Sequence, residues 1–160
     1  MSREAYIGID PGAKGYVCVY GAASRQYCHY PLGGDDLLCF LAPLAECDCI
    51  AVVEKVHAMP AQGRSSCFTF GYNVGRIVGM LEALGIPYTQ VTPQVWQKEM
   101  WDSGDKVMSC NKVDNKRTSY NAARRLHPGM QFKRTERCKT FDDNMVDATL
   151  ICDFAMRKNL

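Results

Sequence analysis

The chain has 160 residues, 47% of them hydrophobic and 22% charged, with a net charge of +2. That length suits one domain spanning residues 1–160 with a buried core of its own. No apolar run nears the ~18 residues of a membrane helix, and Met1-Ser2-Arg3-Glu4 opens no signal-peptide pattern, which speaks against a membrane-inserted or secreted protein. Nine cysteines are scattered without a CxxC pair, an odd number that cannot all pair internally. Free thiols in a reducing intracellular compartment are expected, whether cytoplasm, organelle or nucleus. Cys47-Asp48-Cys49 lacks the second pair or spaced histidines that zinc requires. Charge is distributed unevenly: residues 98–140 hold eleven Lys/Arg against five Asp/Glu, whereas residues 1–97 hold six against eight. Positive charge gathered in one third of a chain suits a polyanionic partner.

In chain order, Ala5-Tyr6-Ile7 and Tyr16 to Tyr20 read as two strands of a hairpin around Gly8-Ile9-Asp10-Pro11-Gly12. Gln26 to Tyr30 is a third strand, stopped by Pro31 and Gly33-Gly34. Asp35-Asp36 opens an amphipathic helix that ends before Cys47. Ile50 to Val53 is wholly apolar and predicts a strand buried on both faces. From Ser65 to Leu84, apolar residues at 67, 68, 70, 74, 77, 78, 81 and 84 keep helical spacing up to Gly85. Pro87 to Val91 is a fifth strand, and Thr92-Pro93 starts a short helix through Trp96. Helices follow over Asp114–Leu126, stopped by His127-Pro128-Gly129, and over Thr140–Met156. Three antiparallel strands followed by strand–helix–strand crossovers predict an α/β fold, a mixed five-stranded sheet flanked by helices.

Asp10 ends the first strand and Glu54 ends the buried one, positions where a carboxylate suits a cation better than a core. If those strands are neighbours, the two acids converge at one sheet edge. On the last helix Asp143 and Asp147 lie one turn apart on one face, an arrangement of like charges that is unfavourable without a cation between them. Asp142 and Asp143 also suit the helix dipole, so capping is an equal reading for both. Asp147 lies beside the apolar stripe, where an unpaired carboxylate is costly. Two strand-end acids and two helix acids make a cage for a pair of divalent cations, the donor set of two-metal phosphodiester cleavage.

These residues carry a resemblance. The chain resembles the RuvC-type Holliday-junction resolvases, closest to their short phage and chloroplast branch, within the ribonuclease-H-like superfamily. The matching stretches are Ile7 to Gly12 with Gly15, Val53 to Pro60 with Gly63, Phe70 to Gly75, Gly85-Ile86-Pro87, Val91 to Lys98, and Asp143 to Leu150. The resemblance implies a ribonuclease-H-like fold and an endonuclease that resolves four-way DNA junctions by paired symmetric nicks, as a homodimer. It implies Mg²⁺, with Mn²⁺ as a substitute, in two ions per site on Asp10, Glu54, Asp147 and a fourth residue one turn earlier. The short branch places that fourth residue at Asp143; other relatives place it at Asn144, and Asp142 is a third choice. For DNA it implies Gln62, Arg64 and Phe68 at the junction centre and Lys112, Lys116 and Arg117 on phosphates. His57, beside Glu54, reads as a proton-transfer residue or an ordinary loop histidine. Phe70 and Trp96 read as packing, and helix 65–84 as the dimer surface through Gly71, Gly75 and Gly79, a spacing that equally serves packing on the sheet. Competing readings are a nuclease of this fold acting on other branched DNA or on RNA–DNA hybrid, and a non-catalytic junction binder. Asp10, Gly12 and Gly15 also resemble a phosphate loop of actin-like kinases, but the chain is too short for their two domains.

Overall fold

Apolar β-branched runs interrupted by Gly and Pro fold where the sequence places them. The computed structural model describes residues 3–55 and 63–160. Strands β1 (Ala5–Asp10), β2 (Tyr16–Gly21) and β3 (Gln26–Pro31) form the antiparallel meander, and β4 (Cys49–Glu54) and β5 (Tyr88–Val91) extend it in parallel. The sheet order is β3-β2-β1-β4-β5. Its central strand β1 is buried along its whole length.

Helices cover both faces. On one, α1 (Leu37–Leu41) and α2 (Arg64–Ala83) pack over Ile7, Ile9, Val17, Ala51 and Val53. On the other, α3 (Pro93–Met100), α4 (Asn115–Leu126) and α5 (Asp143–Lys158) enclose Tyr6, Cys18, Val52 and Trp96. The predicted first helix is only half α-helical, since Pro43 turns its second half, Ala42–Glu46, into a 3-10 helix. Helix α5 starts at Asp143 rather than Thr140, because Asp142 is its N-cap and accepts from the amides of Asn144 and Met145. A two-stranded hairpin, β6 (Met108–Ser109) and β7 (Lys112–Val113), was not expected. Its turn residues Cys110 and Asn111 both have positive φ, and Cys110 is not a residue that announces such a turn. No disulfide joins the nine cysteines. Among the described residues no helix is long and apolar enough to cross a membrane.

Helix α2 departs most from its apolar pattern. Only Ile77 and Leu81 are buried, both in its C-terminal half, while Phe68 is 77% exposed and Tyr72 62%. Phe70, read as core, is only half-buried. A Cβ at Gly71, Gly75 or Gly79 would meet nothing within 4 Å, so these glycines do not serve packing on the sheet.

One glycine sets the position of the last helix. A Cβ at Gly8 would fall 2.2 Å from both the Ala148 carbonyl oxygen and the Cys152 amide nitrogen. Helix α5 therefore lies directly on the backbone of β1, two residues from Asp10. Gly8→Ala is expected to destabilise the fold by about 3 kcal/mol or more, since backbone on both sides must give way. Urea denaturation checks this, against Gly129→Ala, where the added Cβ has open space, as the near-neutral control.

Candidate active site

The parallel pairing of β1 with β4 aligns Ile9 with Val53, so Asp10 and Glu54 leave the sheet side by side at its carboxyl edge. Helix α5, seated over Gly8, adds Asp147. Asp10 is 7% exposed, and its Oδ1 accepts a 3.0 Å hydrogen bond from the Gly12 amide. The Asn73 side chain donates to the Gly12 carbonyl at 3.1 Å, tying α2 to the same turn. Glu54 Oε1 accepts from the indole Nε1 of fully buried Trp96 at 2.9 Å. Trp96 therefore packs, as expected, and also orients a carboxylate, a role that its neighbours in the sequence do not disclose.

The electrostatics set these acids apart. Burial, then the charge of Glu54, pushes the Asp10 carboxyl up to about 7, with Asp143 and Asp142 adding to the rise against the Gly12 hydrogen bond. Burial also pushes Asp147 well above the usual carboxylate range; Asp10, Glu54 and Asp143 reinforce it, and a hydrogen bond from Ser119 opposes it. Glu54 is raised by burial, against the hydrogen bond from Trp96. Asp105 is the contrast: burial works to raise it, but the Arg125 guanidinium, bonded at 2.8 Å, holds it below its ordinary value. Asp105 is thus compensated by a cation, whereas Asp10 and Asp147 are pushed up by burial and then by their acidic neighbours. Such a pattern makes these acids the candidate site.

The three candidates for the fourth position differ in what each already contacts. Asp142 is occupied in capping α5 and in an ion pair with Arg134. Asn144 Oδ1 lies over Gly12, within 3.4 Å of where a Cβ would stand there, beside Asp10 Oδ1 at 3.3 Å. Asp143 faces Lys116, whose Nζ is 2.5 Å from Oδ2. Lys116 was expected on DNA phosphates; in the structure it supplies positive charge to the acidic site, and Asp143 and then Asp147 hold its ammonium above the ordinary lysine range.

The donor set is all oxygen, the chemistry a hard divalent cation takes. Asp147 Oδ1 is sealed from solvent with no hydrogen-bond partner, an acceptor in want of a positive charge. Among the described residues no three Asp, Glu, His or Cys side chains stand close enough to hold an ion as they are.

The remaining residues read as DNA contacts are dispersed. Arg64 and Phe68 are exposed on the first turns of α2. Lys112 lies on β7, ahead of α4 rather than in it, and Arg117 is exposed in the first turn of α4, its amide bonded to Asp114. Gln62 and His57 lie outside the described residues. Sequence reasoning missed Lys14 and Arg134, which flank the acids. Arg134 was visible only as part of the diffuse basic run 133–139.

A mixed sheet in this order, with acids at the ends of its paired parallel strands and on the helix crossing them, is the ribonuclease-H-like fold. Within it the chain has the architecture of RuvC. It is similar to a Thermus thermophilus RuvC structure at 15% identity and a TM-score of 0.57, covering 96% of each chain. It is also similar to T. thermophilus RuvC in complex with Holliday junction substrate, at 9% identity and a TM-score of 0.53, again over 96% of each chain. No family model and no curated protein matches the chain by sequence.

Proposed function

We propose that this protein is a metal-dependent endonuclease that resolves four-way DNA junctions by paired symmetric nicks. The observation that carries the reading is the set of buried carboxylates Asp10, Glu54 and Asp147, with no cation paired to them among the described residues, on the fold of a RuvC solved in complex with Holliday junction substrate. Asp10, Glu54, Asp143 and Asp147 would hold two Mg²⁺ ions, or Mn²⁺, which when bound activate the attacking water and stabilise the leaving oxygen. Trp96 fixes the carboxylate of Glu54, and the Gly12 amide fixes that of Asp10. Ser119 orients Asp147, and Lys116 balances Asp143 until the site is loaded. The basic segment from Lys112 to Arg117 borders the same helix and supports the approach of a phosphate backbone.

Two nicks need two sites, so the acting form is a homodimer. The open stripe of Gly71, Gly75 and Gly79, beside exposed Tyr72, supports α2 as the dimer face. Substrate preference is tested by incubating labelled four-way junction, linear duplex and RNA–DNA hybrid with the protein in Mg²⁺ or EDTA. Cleavage of the junction alone, lost in EDTA, is expected. Cleavage of the hybrid would keep the site and overturn the substrate, and tight binding without cleavage would mark a junction binder.

A further inference from the structure

Two hollows meet beside the acids, and the same two cations line both. The smaller, about 220 Å³, is lined by Lys14, Arg134, Asp142, Asp143 and Asn144 among others. The larger, about 510 Å³, lies beyond that pair, with Tyr16, His29 and Met145 among its walls. Arg134 is placed by its ion pair with Asp142 and by the Tyr16 ring, whose centroid lies 5.8 Å from its guanidinium carbon. His29 is held by a 2.8 Å hydrogen bond with Thr149 of α5. Lys14 is exposed on the β1–β2 turn. Its ammonium has nothing to do with the fold and stands on the rim of an acidic cluster that would otherwise repel a phosphodiester chain.

We propose that Lys14 and Arg134 bind the phosphate next to the scissile one, and that the larger hollow takes the nucleotide carrying it. This rests on the nuclease reading above. The volume lies in the range of sites that enclose a small organic group, and the lining supplies what a nucleotide needs. Two cations serve its phosphate, while an aromatic edge, an imidazole and a thioether serve its sugar and base. The larger hollow shares Lys14 and Arg134 with the smaller one, which Asp142 and Asp143 also line, so an occupant of the larger lies next to the strand bound at the acids. A nucleotide held there makes the base beside the cut part of what the protein reads.

The test uses full-length protein carrying Asp10→Asn, which binds without cutting, and junctions bearing one methylphosphonate at each linkage flanking the cleavage position. Lys14→Gln is expected to weaken binding severalfold at low salt and to reduce the slope of log K against log salt by about one. One flanking methylphosphonate should weaken binding as much in the Lys14 protein, yet add nothing once Lys14→Gln is present. Arg134→Gln should behave likewise, with circular dichroism confirming that α5 survives loss of the pair with Asp142. Full additivity of both substitutions with every methylphosphonate, or an unchanged salt slope in Lys14→Gln, would overturn the clamp. If the protein cuts another nucleic acid instead, the same coupling is measured on that substrate, so the substrate reading can fail while the clamp stands.

Discussion

Asp10→Asn is expected to abolish cleavage and at the same time raise the melting temperature in chelator. Loss of a carboxylate from the site should lower the cleavage rate by at least about 10³-fold, beyond the 10²–10³ cost of removing a single stabilising donor. The stability gain follows from linkage. The Asp10 carboxyl titrates near its ordinary value in the unfolded chain and at about 7 when folded. Between those values the folded state binds more protons, so stability falls as pH rises through that window and the deficit is complete above about 7. A rise from 3.8 to about 7 corresponds to about 4 kcal/mol, an upper bound because Glu54, whose charge contributes to it, is itself raised by burial. Roughly half of that amounts to about 5 °C in a domain of this size. Thermal melts in EDTA at pH 5 and pH 8 check it: wild type should lose stability over that interval and Asp10→Asn should lose less. Asp147→Asn should behave in the same way, since its Oδ1 has no partner to forfeit. Carboxylates that merely held the fold together would give the opposite result, with lower melting temperatures on neutralisation.

The second large effect separates Asp143 from its neighbours. Asp143→Asn should reduce cleavage by about 10²-fold or more, as loss of a charge that acts at the reacting phosphate does. Asp142→Asn should leave cleavage within about tenfold and cost stability of the order of 1 kcal/mol, the usual worth of a helix cap. Asn144→Ala should have little effect on rate. Single-turnover cleavage beside urea denaturation of the three variants decides the matter. A cleavage defect confined to Asp142→Asn would reassign the fourth ligand and leave Asp143 as the anchor of Lys116.

The parts legible in the sequence are those that local physics dictates. Short apolar or β-branched runs and their Gly and Pro stops disclosed all five strands of the sheet, and Gly85, with φ of +67°, closes α2 as its position implies. Acids ending apolar strands pointed to Asp10 and Glu54 before any register was available. What was hidden depends on contacts distant in sequence. The N-terminal half of α2 has apolar residues at helical spacing, but no sheet lies beneath them, and periodicity cannot report whether a partner is present. Lys116 read as a phosphate contact at a helix start, because its engagement with Asp143 spans two elements and leaves no local sign. Arg134 is one of four basic residues in seven, and nothing local distinguishes the one that reaches Asp142 and Tyr16. The β6–β7 hairpin is too short for an alternating pattern to show.

Paired cutting of a junction by this acidic site can be read from a supercoiled plasmid that extrudes a cruciform. Two nicks within one encounter linearise the plasmid, whereas independent nicks give open circles first. The account predicts linear product from the outset with Mg²⁺ and none with Asp10→Asn. Accumulation of open circles before any linear product, or linearisation that survives Asp10→Asn, would contradict it.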